Sequence, residues 1–324
     1  MKKIAVLMGG KSNEREVSLV SGKNVAEALA SLGKYEVVPV DLTEDNLDAM
    51  PRDVDAAYIA LHGGWGESGG VQAALNALKI PYTGPGVLAS QIAMDKVKTK
   101  MVLEMKNVPT AKWALANPDT AASPLPLPVV VKPPCDGSSI GISKVSAESD
   151  WAKARDLAFA AIKPNAQTSK LSNPQTLKLS NTQTILVEEY IPGREFTVAV
   201  VDGKAWPVIE IVAKGGWYGY EEKYNSDETK YPFLCDLPAD TQTLKPSNLE
   251  TELQKLAVQA YEALGCRGVT RVDFRVSPLG RCYVLELNTS PGFTSHSLVP
   301  KSGMKTGLTF AEVCDRILAS AATD

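Results

Sequence analysis

Along the first ninety residues, short apolar runs alternate with stretches whose apolar positions recur every three or four residues. Lys3–Met8 reads as a short buried strand. Ser21–Leu32 places Val25, Ala28, Leu29 and Leu32 at helical spacing and closes on Gly33. Val37–Val40 and Ala56–Leu61 are two further strands, Gln72–Leu78 is helical, and the unit ends in the turn cluster Pro81-Tyr82-Thr83-Gly84-Pro85-Gly86. Strand and helix in alternation predict a small α/β unit on a parallel sheet. Residues 87–104 read as a helix crossing into a second domain. Pro128–Gly141 and Ser143–Val145 read as strand, lysine, Gly/Ser loop and strand, and Thr184–Val201 as strand, turn, strand. Leu249–Leu264, ended by Gly265, and Phe310–Ser320 have the spacing of packing helices. Ahead of the Thr184–Val201 segment, residues 163–183 are polar with an imperfect internal echo, as expected of a surface insertion.

The most informative pattern is the pair of apolar-rich runs Arg271–Val276 and Arg281–Asn288 around Ser277-Pro278-Leu279-Gly280, which predicts a β-hairpin. With Val276 opposite Arg281, Arg271 faces Glu286 and Asp273 faces Val284. Alternation then puts Arg271, Asp273, Glu286 and Asn288 on one face, and Val272, Phe274, Val276, Tyr283, Leu285 and Leu287 on a core face. Two carboxylates and an amide oxygen suit a hard cation such as Mg²⁺; a merely solvated hairpin face would show the same alternation. The following Thr289–Ser297 segment is built from small turn formers, which would set backbone N–H groups and hydroxyls beside that face.

Composition narrows the class. The chain has 324 residues, room for two or three domains, and its net charge of −3 gives no basic footprint for nucleic acid or an anionic membrane. No apolar stretch approaches a spanning helix, and the apolar run after Lys2-Lys3 is too short for a signal sequence. Five scattered cysteines without CxxC spacing, and two histidines, argue against a disulfide framework or a zinc site. A reduced, cytoplasmic protein is expected.

Several loops carry candidate chemistry. Gly9–Ser18 follows the first strand at its carboxyl end, where open α/β sheets bind ligands. Its GGKSNE run is not the GxGxxG of dinucleotide binding. Glu14 or Glu16 could accept an ammonium, or could simply complement a helix dipole. His62 precedes a loop with glycines at 63, 64, 66, 69 and 70, which permits close approach of a ligand. Lys96 and Lys100 share a helix face, as two surface lysines would. Lys132 precedes a Gly/Ser loop able to fold over phosphates, unlike a Walker A loop, where lysine follows the glycines. The aromatic, charged and Gly-rich segment 215–229 reads as a lid.

Taken in order, EREVS at 14–18, LHG at 61–63, MDK at 94–96, VKPPCDGSSIG at 131–141, VEEYI at 187–191, EEKYNSDET at 221–229 and VDF…YVLELNTSPGFTSHSLVP at 272–300 resemble the D-alanine–D-alanine ligases of the ATP-grasp superfamily. The likeness spans nearly the whole chain except the insertion. It implies a three-domain α/β ATP-grasp fold: a Rossmann-like amino-terminal domain (1–90), a central domain (91–184) and a carboxy-terminal domain (185–324) clamping ATP. It implies ATP-dependent joining of two D-alanines through a D-alanyl phosphate, for peptidoglycan precursor synthesis, by a homodimer. The cofactors implied are ATP and two Mg²⁺, with Mn²⁺ an alternative, and the metal ligands Asp273, Glu286 and Asn288. Lys96, Lys132, Ser138 and Lys223 would meet phosphate. Glu188 and the Glu189–Ile191 backbone would meet adenine, and Glu195 the ribose. Glu14 would hold the first ammonium with His62 nearby, Arg271 and the Gly292 N–H would stabilise the oxyanion, and Ser297 and Leu298 would meet the second carboxylate. Ser138, Glu14 and Tyr224 would form a hydrogen-bonded chain, with tyrosine at 224 typical of ligases that use D-alanine rather than D-lactate. The family's usual Glu-Asp-Gly is Glu67-Ser68-Gly69 here. Two other readings stand beside this one: an ATP-grasp ligase taking D-serine or D-lactate second, and a nucleotide-binding regulator without turnover, which should have lost a catalytic carboxylate or Arg271.

Overall fold

The computed structural model describes residues 1–135, 140–162, 184–213, 228–237, 246–294 and 297–324. The expected insertion at 163–183, Ser138, Lys223 and Tyr224 lie outside these residues. The chain opens with β1 (Lys2–Gly9), α1 (Arg15–Ser31), β2 (Tyr35–Leu42) and β3 (Ala56–Ile59). They form a parallel sheet in the order β2-β1-β3. Two short helices follow, α2 (Gly64–Glu67) and α3 (Gly70–Ala77). Ile4 and Val6 pack towards Val25 and Leu29 of α1, while Ala5 and Leu7 pack towards Val71 and Leu75 of α3. Both sheet faces are covered, which is why β1 reads as an unbroken apolar run.

Residues 87–104, expected as one helix, form two: α4 (Val87–Met94) and α5 (Lys96–Met105). Asp95 separates them with extended backbone, and its carboxylate accepts the Val97 and Lys98 N–H groups, each at 3.1 Å. This is an N-cap, and it starts a new helix at Lys96. Next come β4 (Trp113–Ala116), β5 (Val129–Lys132), β6 (Ser143–Val145), α6 (Trp151–Ala161) and β7 (Ile185–Glu189). The strands form an antiparallel sheet ordered β4-β7-β5-β6, backed by Trp151, Ala154 and Ala158 of α6. β7, which lies beyond the division expected at 184, pairs within this sheet.

The remaining sheet holds β8 (Arg194–Val201), β9 (Lys204–Ala205), β10 (Ile209–Ile211), β11 (Val269–Val276) and β12 (Cys282–Asn288), with α7 (Pro246–Ala263) preceding β11. Its order is β10-β8-β11-β12, with β9 on β8, and all pairs are antiparallel. Leu253, Leu256, Ala257 and Ala260 of α7 bury its inner face against Phe196, Val198, Val272 and Phe274. The turn between β7 and β8 passes so close to β11 that a Cβ on Gly193 would lie 2.0 Å from the Val276 carbonyl oxygen, at a φ of +124°. Only glycine fits there. The chain ends with α8 (Leu298–Lys305) and α9 (Phe310–Ala319). Val313 and Ile317 of α9 join Val25 and Leu29 of α1, together with Ala199 and Val201 of β8, in one apolar cluster that fuses the first and last domains. No helix among the described residues is long and apolar enough to cross a membrane.

The β11–β12 hairpin forms as expected, but its register does not. Val276 pairs with Cys282, Phe274 with Val284, Asp273 with Glu286 and Arg271 with Asn288, with a shift between Asp273 and Phe274. Leu285 is the extra residue of a β-bulge, which resets the alternation. Cys282, Val284 and Leu287 therefore face the core, whereas Tyr283 and Leu285, expected there, do not. Beyond the bulge the expected shared face of Arg271, Asp273, Glu286 and Asn288 survives, with Asp273 now directly opposite Glu286.

Candidate active site

The hairpin face is densely bonded. Arg271 grips Asp273 with two parallel bonds, Nε to Oδ1 at 3.0 Å and Nη2 to Oδ2 at 2.9 Å. The Thr197 hydroxyl donates to Oδ1 at 2.6 Å and the Asn288 amide to Oδ2 at 3.0 Å. Asp273 is thus gripped on a buried strand by four donors, two from Arg271 two residues away and one each from β8 and β12. Glu286 lies opposite, with Lys96 Nζ 3.9 Å from its Oε2. Among the described residues no three His, Cys, Asp or Glu side chains cluster as a metal site, so a cation here would draw its third donor from the Asn288 amide. An all-oxygen set of two carboxylates and an amide fits a hard divalent cation, which would take over from Arg271 the task of balancing the Asp273 charge.

Across from this face is a buried nook of lysines. Lys132 Nζ lies 2.6 Å from Glu188 Oε2, and Lys100 Nζ lies 3.0 Å from Glu188 Oε1. Lys100 is 1% exposed and Glu188 2% exposed, so Lys100 is not a surface lysine. It also donates to the Thr110 hydroxyl at 2.7 Å and the Ala111 carbonyl at 3.2 Å. Burial pushes the Lys100 pKa down, against the attraction of Glu188. Burial likewise opposes the charged forms of Lys132 and Glu188. Their mutual attraction wins, so Lys132 titrates higher and Glu188 lower than usual. Two ammonium groups on one carboxylate leave a net positive charge in a water-poor site, a good seat for a phosphate chain. Helix geometry put Lys100 on the Lys96 face; its burial came from Thr110 and β7, which are distant in sequence.

The segment that joins β7 to β8 is fixed by Arg275 of β11. Its guanidinium donates to the Ile191 carbonyl at 3.2 Å, Glu195 Oε2 at 3.0 Å and the Tyr190 hydroxyl at 3.3 Å. Arg275 was not singled out in the sequence, although it continues the Arg271, Asp273 alternation. Glu189 is exposed, and its N–H closes the central sheet on the Lys112 carbonyl at 2.8 Å.

The amino-terminal loops complete the site. Glu14 lies at the start of α1, half-buried, while Glu16 is exposed, so Glu14 alone of the two faces inward. A Cβ at Gly63 would sit 3.3 Å from Glu14 Oε2, which places that carboxylate against the loop after His62. His62 is 5% exposed, and burial lowers its pKa; Glu14 opposes the shift and Arg271 adds to it. Burial and the Glu14 charge push the Glu67 carboxyl up to about 8, with Arg271 and the Gly63 N–H opposing and Glu286 adding. Glu67 is thus a member of the site that sequence reasoning passed over as part of a departure from a motif. Ser297 precedes α8, and its hydroxyl oxygen accepts the Thr294 N–H at 2.9 Å. Leu298 is the first residue of α8, where N–H groups lack intrahelical partners. Gly292 approaches Ser297 so closely that a Cβ would stand 3.0 Å from Oγ.

Two β-sheets closing on a lysine nook, with a carboxylate face at one end and an α/β domain at the other, define a nucleotide-dependent ligase of the ATP-grasp kind. The family described as "D-ala D-ala ligase C-terminus" matches residues 97–166 and 162–319, and "D-ala D-ala ligase N-terminus" matches residues 3–48. The chain is 43% identical over 323 residues to a D-alanine--D-alanine ligase of Syntrophotalea carbinolica, covering 99% of this chain and 96% of that one. It is 43% identical over 329 residues to the D-alanine--D-alanine ligase of Bordetella pertussis, covering 99% and 95%. Among solved structures, the Bacillus anthracis D-alanine--D-alanine ligase complexed with ATP superposes with a TM-score of 0.77 at 30% identity, covering 99% of this chain and 97% of that one. The chain belongs to the D-alanine–D-alanine ligase family.

Proposed function

We propose that the protein uses ATP to join two D-alanines into D-alanyl-D-alanine, for peptidoglycan precursor synthesis in the cytoplasm, as a homodimer. The observation that carries this reading is the opposition of two charge sets in one clamp. The Arg271, Asp273, Glu286 and Asn288 face lies across from the Lys100–Glu188–Lys132 nook, with Lys96 bridging towards Glu286.

In this reading a carboxylate oxygen of the first D-alanine attacks the γ-phosphorus of ATP, and ADP leaves. The amine of the second D-alanine then attacks the acyl carbon, sheds a proton, and inorganic phosphate departs. Lys96 and Lys132 hold the phosphate chain in a site where a fixed charge is worth far more than in water. Glu188, the 189–191 backbone and Glu195, steadied by Arg275, receive the nucleoside. Asp273, Glu286 and Asn288 would hold Mg²⁺, which when bound neutralises phosphate oxygens. Glu14 binds the first ammonium beside His62. Arg271 and the Gly292 N–H face the oxygen that gains charge when the amine adds. Ser297 and the Leu298 N–H receive the second carboxylate, helped by the positive end of α8. Ser138, Lys223 and Tyr224, which lie outside the described residues, would cover the site and protect an acyl phosphate from water.

The test is phosphate release from Mg²⁺-ATP with D-alanine as the sole amino acid, with mass analysis of the product. D-alanine-dependent release with formation of the dipeptide is expected. Asp273→Asn should lower kcat by about 100-fold or more, on the scale of losing one transition-state contact. ATP binding without D-alanine-dependent turnover would send the search to other acid and amine pairs.

A further inference from the structure

The loop that leaves β12 is fastened by the amino-terminal domain rather than by its own sheet. Phe293 packs edge-on against Tyr58, with ring centroids 5.7 Å apart. The Ser290 hydroxyl donates to the Leu61 carbonyl. Between these anchors lie two side chains from different elements, Ser21 in the second turn of α1 and His62 just beyond β3. Both are out of solvent, Ser21 at 0% and His62 at 5% exposure.

Their hydrogen bonds have one consistent direction. His62 Nδ1 is 3.0 Å from the Ser290 carbonyl, which can only accept, so Nδ1 carries the hydrogen. In the neutral ring Nε2 is then an acceptor, and the Ser21 hydroxyl 3.0 Å away donates to it. The Ser21 oxygen in turn accepts the Phe293 N–H at 3.2 Å. One serine therefore ties the backbone on both sides of Pro291-Gly292, directly at residue 293 and through His62 at residue 290. A hydroxyl in the middle of a helix gives no help to the helix itself. Alanine would be the better helix former at that place, and a second apolar contact would serve the surrounding core equally well.

We propose that Ser21 is a positioning residue for the ligation, which acts through His62 and the Phe293 amide to fix the 290–293 loop and hence the Gly292 N–H. This inference rests on the reading above, in which that N–H faces the reacting acyl group. Ser21 itself touches neither substrate nor nucleotide. Its effect should fall on the chemical step, where small displacements of a donor are costly, and spare the binding of ATP, which lies between the other two sheets.

The experiment compares Ser21→Ala, Ser21→Cys and Ser21→Thr with wild type in steady-state kinetics, alongside Arg271→Lys. Ser21→Ala should lose about 10- to 100-fold in kcat with KM for ATP within about twofold of wild type. Ser21→Cys fills nearly the same volume with a much weaker donor and should show the same kcat loss at wild-type Tm, so a packing defect in the alanine variant cannot hide the result. Ser21→Thr keeps the hydroxyl and should recover most of the activity. Wild-type kcat in Ser21→Ala or Ser21→Cys overturns the proposal, and so does a threonine variant as impaired as the alanine one. Arg271→Lys separates the two levels. If it loses turnover while Ser21→Ala keeps it, only this inference fails; if both turn over like wild type, the placement of the loop at the reacting centre fails as well.

Discussion

Glu67 and His62 sit a few residues apart and are displaced in opposite senses by one cause, a pocket too dry for an isolated charge. His62 is kept neutral, which is the form its two hydrogen bonds need. Glu67 is kept protonated, because burial and the nearby Glu14 carboxylate both disfavour a second negative charge. The consequence for stability has a definite sign. The unfolded chain releases this proton near the ordinary value of 4.5, whereas the folded protein keeps it until about 8. Ionising Glu67 therefore costs the folded state free energy, and this loss builds as pH rises between those two values. Glu67→Gln cannot ionise and escapes it. In Mg²⁺-free buffer the variant should have a Tm close to wild type at pH 5 and above it at pH 8.5. Thermal unfolding at the two pH values checks this, and a Tm difference that stays constant would mean that Glu67 is ionised throughout. Lys100 teaches the same lesson with the other charge: a titratable side chain acquires its role from what buries it.

The elements differ in how plainly they can be read from the chain. β1, β2 and β3 are apolar runs with turn residues between them, and α1, α7 and α9 carry regular helical spacing, so local patterning suffices to find them. The bulge at Leu285 has no such signal. A single extra residue, neither glycine nor polar, shifts the register, and what stabilises it comes from elsewhere: the Val284 N–H donates to the Pro109 carbonyl at 2.8 Å, and its carbonyl accepts the Thr110 hydroxyl at 2.9 Å. Arg271, Asp273, Glu286 and Asn288 were still legible as one face, because two errors of parity, the turn register and the missing bulge, cancel beyond residue 285. The break at Asp95 was legible in principle, since an acid before a helix start is a capping signal, but a continuous apolar pattern from Val87 to Leu103 masks it. The turn before β11 is another element fixed by distant contacts. Gly268 has a φ of +62°, and a Cβ there would stand 2.8 Å from the backbone nitrogen of Gly84. Gly268→Ala must therefore both strain its own backbone and push two domains apart. A loss of about 2 kcal/mol or more in unfolding free energy is expected, measured by denaturant titration, against a few tenths for alanine at an ordinary surface site.

For the whole molecule, the place where Gly268 meets Gly84 is where the first and last domains are sewn together, and Arg267 is the principal stitch. Its guanidinium donates to the Tyr82 and Gly84 carbonyls at 3.1 and 2.8 Å and to the Ala322 carbonyl at 2.8 Å, and stacks 4.4 Å from the Tyr82 ring centroid. Asp324 adds bonds from Val87 and Asn76 at 2.8 and 3.0 Å. These contacts bear on how the two loops carrying Glu14 and His62 meet the loop carrying Gly292, because those loops belong to domains joined here. In the proposed reading the nucleotide, by contrast, sits between the central and last sheets and does not span this seam. Loosening the seam should then separate the two substrates kinetically. Arg267→Met keeps the apolar stem and removes every hydrogen bond, leaving three carbonyls to find water. The variant should unfold a few degrees lower, reflecting about 1–3 kcal/mol of lost bonding spread over a large chain. Its KM for D-alanine should rise severalfold while its KM for ATP stays near wild type. Equal increases in both constants would mean that the seam supports the clamp as a whole, and that the amino-terminal domain is not positioned independently of the nucleotide site.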